Sequence, residues 1–227
     1  MQLLIGNKNY SSWSMRPWVL MRHFGIPFEE VMVRFDAMSP DSRFKQRVLQ
    51  VSPAGRVPVL IDDDLVVWDT LAIAEYLAER CPQHALWPRD LKQRARARSL
   101  SAEMHSGFAA LRSHCPQNLE AALPDVGARL LAEQPGVRAD LQRIGQMWTE
   151  ALAVGGGPFL FGAFGIVDAF YAPVAGRIRT YGLPLPREAA AYVQRLFESP
   201  GVAAWVAEAL AETEFLDFEE PYRTSRG

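Results

Sequence analysis

The stretch Arg56-Val57-Pro58-Val59-Leu60-Ile61-Asp62-Asp63-Asp64-Leu65-Val66-Val67-Trp68-Asp69-Thr70-Leu71-Ala72-Ile73-Ala74-Glu75-Tyr76-Leu77 decides how the first third of the chain folds. Two short apolar runs, Val57–Ile61 and Leu65–Trp68, flank an acidic triplet, which predicts a β-hairpin. Asp69 and Thr70 then supply capping side chains for a helix whose apolar face carries Leu71, Ala74, Leu77 and Ala78. Pro58 has no N–H for a sheet ladder, so it belongs at a strand start or edge.

Upstream, Leu3-Leu4-Ile5 closed by Gly6-Asn7 reads as a buried strand running into a loop. Ser11-Ser12-Trp13-Ser14 leads into a helix that holds Pro17 near its start, with Gly25 as C-terminal cap and Pro27 beyond it. Phe28 to Phe35 is rich in β-branched and aromatic residues and reads as a second strand, and Ser39-Pro40 opens a short helix through Leu49. The predicted order is β-α-β-α-β-β-α over residues 1–80. A linker follows over 81–88, and residues 89–227 read as all-helical, with segments near 89–114, 126–154, 167–182, 186–198 and 200–211 punctuated by Gly and Pro.

Composition narrows the function classes. The 227 residues carry 24 Lys+Arg against 26 Asp+Glu, and that near-neutral balance argues against a nucleic-acid partner. Cys81 and Cys115 stand alone, which excludes a disulfide framework while leaving a single bridge open. His23, His84, His105 and His114 show no metal-ligand spacing, so no metal is expected. No apolar run approaches the roughly 18 residues of a membrane span. The start Met1-Gln2-Leu3-Leu4-Ile5 lacks the pattern of a signal peptide, so the expected location is cytoplasmic.

Three features hold candidate chemistry, and each also has a bland reading. Ser11, Ser12 and Ser14 precede a helix whose N-terminus favours an anion, though one serine can simply be its cap. A cis Val57–Pro58 bond would open the Val57 backbone to an extended ligand, although trans is the commoner state. Asp69 and Thr70 suit a ligand's ammonium and carboxylate, or capping alone.

In order and spacing, Ser11-Ser12-Trp13-Ser14-Met15-Arg16, Val57-Pro58 and Asp69-Thr70-Leu71-Ala72-Ile73-Ala74-Glu75-Tyr76-Leu77 resemble the glutathione transferase superfamily, particularly its serine-dependent zeta, delta and theta types. The resemblance covers nearly the whole chain. It implies an α/β thioredoxin-like N-terminal domain that binds glutathione, followed by an all-α domain that forms the second-substrate site. It implies a cis Val57–Pro58 bond, pairing of the Val57 backbone with the cysteine of glutathione, and binding of the γ-glutamyl end by Asp69 and Thr70. Aligning Arg16 with the family's arginine makes Ser12 the best match for the thiol-activating hydroxyl, with Ser11 the close alternative and Tyr10 a third.

Further along, Gly165 stands where the family's helix-capping box has a hydroxyl residue, leaving Asp168 to cap the helix start. Arg98, His105, Phe108 and Arg112 are candidates for the cleft. The implied partners are glutathione, a small electrophilic substrate and a second copy of the chain in a homodimer. The implied activity is conjugation; the alternatives are a glutathione-dependent cis–trans isomerase, as in maleylacetoacetate isomerases, and a non-catalytic glutathione-binding protein.

Overall fold

The computed structural model describes residues 1–37 and 39–226. Among the described residues, every strand longer than an isolated bridge lies before residue 69. Strands β1 (Gln2–Ile5), β2 (Glu29–Met32), β3 (Val59–Asp62) and β4 (Leu65–Trp68) form one sheet in the order β2-β1-β3-β4. The β1–β2 pair is parallel, while β1–β3 and β3–β4 are antiparallel. Helices α1 (Ser12–His23), α2 (Arg43–Leu49) and α3 (Thr70–Arg80) complete the predicted order. Side chains alternate across a strand, so Leu3, Ile5 and Leu60 join the large core with α1 and α3. Leu4 and Val59 face the other way and pack with Val33 and Val48.

Among the described residues, α3 is followed by a short turn at Pro82–His84, by seven α-helices, α4 (Leu91–Ser106), α5 (Ala109–His114), α6 (Pro124–Glu133), α7 (Pro135–Gly155), α8 (Ile166–Thr180), α9 (Arg187–Glu198) and α10 (Pro200–Ala211), and by a second short turn at Asp217–Glu219. Helix α8 is buried along almost its whole length and packs against α1, α4 and α9. Among the described residues, no helix is long and apolar enough to cross a membrane.

Several boundaries depart from the sequence reading. The segment predicted as one helix over 89–114 breaks at Gly107-Phe108, where Phe108 adopts a left-handed conformation. The segment over 126–154 is two helices, because Pro135 starts a new one after Gln134. Helix α2 begins at Arg43, not Ser39, because the Ser42 hydroxyl accepts the Lys45 N–H and caps it there. Strand β2 is only four residues long, ending where β1 ends. Pro17 lies inside α1 as its sixth residue; lacking an N–H, it leaves the Trp13 carbonyl without its usual donor.

The cap at Gly25 forms as predicted. Ile26 donates to Met21 and Gly25 to Arg22, with Gly25 at φ +64°. Asp168 also does what the sequence implied. It is fully buried and accepts the Gly165 and Leu160 N–H groups at 2.9 and 3.2 Å and the Tyr192 hydroxyl at 2.8 Å. Burial outweighs these bonds and raises its carboxyl to about 6. Gly165 is explained by packing, since a Cβ there would sit 2.8 Å from the Leu86 carbonyl. Cys81 and Cys115 are both free and buried.

Candidate active site

The loop between β1 and α1 is fastened to the helical half. The Asn9 amide oxygen accepts the Leu119 and Glu120 N–H groups at 2.8 and 2.9 Å, and its nitrogen donates to Asn118 at 3.0 Å. The Lys8 ammonium, 3% exposed, pairs with Glu30 and Glu208 and lies over the rings of Trp18 and Trp205. A buried charge held by two carboxylates and two aromatic faces fixes the loop firmly. The start of α1 therefore sits rigidly at the seam between sheet and helices.

That seam holds a cleft of about 950 Å³. Ser11, Ser12, Val57, Pro58, Asp69 and Thr70 all line it, so the sequence-predicted residues converge on one space. The Val57–Pro58 bond is cis. Ser11 occupies the cap position of α1 but makes no capping bond to the backbone. Its hydroxyl donates to Ser14 Oγ at 2.7 Å, and Ser14 Oγ in turn accepts the Gly6 N–H at 3.1 Å. The Ser12 hydroxyl, by contrast, makes no hydrogen bond among the described residues. Tyr10 lines the cleft, but its phenol donates to Glu220 at 2.8 Å. Burial, together with that carboxylate, pushes the phenol up to about 12.

Asp69 is the cap of α3. Its Oδ1 accepts the Leu71 N–H at 2.8 Å, and the residue holds φ at +74°, a conformation uncommon outside glycine, asparagine and aspartate. Its Oδ2 faces His105 Nε2 at 3.2 Å. The other ring nitrogen of His105 lies 3.5 Å from Thr70 Oγ1, which also receives the buried Arg16 guanidinium at 3.3 Å. Burial lowers the His105 imidazole below its usual value; Arg16 and Arg112 push the same way, and Asp69 opposes them.

Of the four cleft candidates from the helical half, His105 and Arg112 line the cleft. Arg98 instead forms a two-pronged pair with Glu75, and Phe108 is buried in the core. The cleft also contains Gln117 and Arg177, which the sequence reading missed. Arg177 had one visible signal, a charge inside the otherwise apolar run from Ala169 to Ile178. Gln117 had none.

Residues 10–80 match the family described as Glutathione S-transferase, N-terminal domain, and residues 92–208 match Glutathione S-transferase, C-terminal domain. The chain belongs to the glutathione transferase family. Within this family it is 33% identical over 85 residues to a zeta-class glutathione S-transferase of Euphorbia esula, covering 37% of this chain and 36% of that one. It is 32% identical over 97 residues to a Caenorhabditis elegans protein named "Probable maleylacetoacetate isomerase", covering 43% and 42% of the two chains. The chain thus spans less than half the length of these curated relatives. A longer match, 24% identical and covering 84% of both chains, is a stringent starvation protein A homolog of Haemophilus influenzae. Among solved structures, a Burkholderia glutathione transferase homolog with bound glutathione superposes with a TM-score of 0.67 at 26% identity. It covers 92% of this chain and 96% of that one.

Proposed function

We propose that this protein is a glutathione transferase, which binds glutathione as its thiolate and transfers it to a small electrophile. Residues 1–80 form the glutathione-binding unit, 81–88 the linker, and 89–227 the wall of the second-substrate site. The observation that carries the reading is the Ser12 hydroxyl. It stands at the N-terminus of α1 in the cleft, has no partner of its own, and shares that cleft with Val57 and Asp69.

The task asked of Ser12 is modest. A free thiol titrates near 8.5, and each unit of depression corresponds to about 1.4 kcal/mol. One hydroxyl donating to the sulfur, with the positive end of α1 beside it, can supply roughly one to two units. Ser11 is less suited, because its proton is engaged with Ser14. Tyr10 is less suited because it donates to Glu220. The Val57 backbone pairs with the cysteine of glutathione, and Pro58 holds that strand entry. Asp69 and Thr70 bind the γ-glutamyl end, with His105 holding the Asp69 carboxylate. Lys45 and Arg56, cations lining the cleft beside Val57, suit the second carboxylate of glutathione.

The reaction loses the thiol proton to solvent. The thiolate then forms a carbon–sulfur bond as the leaving group departs with its electron pair. A screen of electrophiles, with glutathione consumption and thioether formation followed together, tests this. The similarity to a named isomerase favours a second reading, in which the thiolate adds to an activated alkene, rotation follows, and glutathione leaves unchanged. Regeneration of glutathione separates the two, and binding without turnover would leave a non-catalytic glutathione-binding protein. The working form is a cytoplasmic homodimer, the first domain of one subunit facing the second domain of its partner.

A further inference from the structure

Three polar side chains from the helical half meet the cleft: two arginines with no acid paired to them and a glutamine with no hydrogen-bond partner among the described residues. Arg177, on α8, is 5% exposed; its Nε donates to the Cys115 carbonyl at 2.8 Å and its Nη1 to the Pro173 carbonyl at 3.3 Å. No carboxylate lies within ion-pair distance among the described residues. Gln117, between α5 and α6, is 2% exposed, and neither its amide oxygen nor its nitrogen has a hydrogen-bond partner among the described residues. Arg112, on α5, donates to the His105 and Gly107 carbonyls at 3.3 Å each and spreads over the Trp13 ring at 5.1 Å. All three line the cleft that holds Ser12.

A purely structural cluster would be built differently. Buried guanidinium groups ordinarily find a carboxylate, and buried amides are ordinarily hydrogen-bonded. The half-buried Arg223 has that arrangement, bonding Glu120 and Glu220 at 2.7 Å. Here the arginines crowd one another, and with burial they pull the Arg177 guanidinium down to about 10. Glu219, at the cleft wall, forms no ion pair with Arg177, and burial raises its carboxyl to about 7 against the pull of that arginine. Asp69, the other acid in the cleft, is occupied by His105 and the Leu71 amide.

We propose that the second substrate is an electrophile carrying a carboxylate, with the carboxylate held by Arg177, Arg112 and Gln117. A planar guanidinium fork matches a carboxylate, and the Gln117 nitrogen adds a further donor. Trp13, adjacent to Ser12 in sequence, also lines the cleft and carries the Arg112 guanidinium over its ring, which sets that cation beside the sulfur site. This inference rests on the reading that the glutathione thiolate forms at Ser12.

The test compares a chloronitrobenzoate, with chlorine para to the carboxylate and ortho to the nitro group, with its methyl ester. In both, sulfur displaces chloride from the ring carbon, and each rate is divided by its uncatalysed rate. The acid should be preferred by about tenfold or more in kcat/KM, and Arg112→Gln and Arg177→Met should collapse that ratio. The ratio is unmoved by a general loss of activity, and Gln117→Leu provides a third variant should Arg177→Met fail to fold. No preference for the acid, or a preference that survives the variants, overturns the inference. So does a loss of glutathione affinity that matches the loss of acid turnover, which would assign the arginines to glutathione. If the parent binds no glutathione, the transferase reading fails, and calorimetry with nitrobenzoate decides the anion site separately. Binding lost in Arg112→Gln supports it, and no binding by the parent overturns it.

Discussion

His105 Nε2 lies 3.2 Å from Asp69 Oδ2, so a histidine of the helical half grips the cap of the helix that follows the sheet. The contact fixes a carboxylate that is otherwise exposed on the rim of the cleft. Replacing His105 with alanine frees Asp69 and leaves Thr70 with one neighbour fewer. The expected result is a rise of several-fold in the KM for glutathione, about 1 kcal/mol, with a smaller change in kcat. Steady-state kinetics at varied glutathione separates the two.

Tyr10→Phe tests the alternative hydroxyl. The phenol donates to Glu220 and thereby ties the C-terminal segment to the first loop. Its loss should cost roughly 1 kcal/mol of stability, with the carboxylate left short of one donor. The thiol pKa of bound glutathione should not move. Chemical denaturation and a thiolate titration of the same variant check both halves.

Gly165→Ser should destabilise the protein although it restores a helix-capping hydroxyl. A serine cap contributes about 1 kcal/mol in an open setting. Here the new Cβ would meet the Leu86 carbonyl, itself bonded to the Ile166 N–H, at 2.8 Å. Backbone on both sides must shift, at a cost of about 1–3 kcal/mol. A lowered denaturation midpoint with an unchanged slope is the expected outcome.

Much of this arrangement could be read in the sequence, and the reason is local. The Val57–Trp68 hairpin, the Gly25 cap and the Asp69 cap each depend on residues within a few positions of one another. The division of α4 from α5 was hidden because Phe108 takes a left-handed turn that its identity does not signal. The choice between Ser11 and Ser12 was equally closed, since it depends on Ser14 accepting from both Ser11 and Gly6. Arg177 and Gln117 reach the cleft only because α8 and the segment after α5 are brought against α1, a placement that spacing along the chain does not contain.

Asp168 gives the pH prediction. Its folded carboxyl titrates near 6, above the usual 3.8, because burial opposes the charge. Between those values the folded state binds more protons than the unfolded state, so this residue's contribution to stability is full below about 4 and falls as pH rises through 6. The stability advantage of the parent over Asp168→Asn should therefore narrow across that window and level off above it. Paired denaturation curves at several pH values measure it.

The central claim is that Ser12 holds glutathione as a thiolate. The ultraviolet absorbance of the thiolate, titrated against pH for the parent, Ser11→Ala and Ser12→Ala, tests it most directly. The account predicts a depressed thiol pKa in the parent and in Ser11→Ala, returning toward about 8.5 only in Ser12→Ala. Glutathione bound with an unshifted thiol in all three proteins would contradict it.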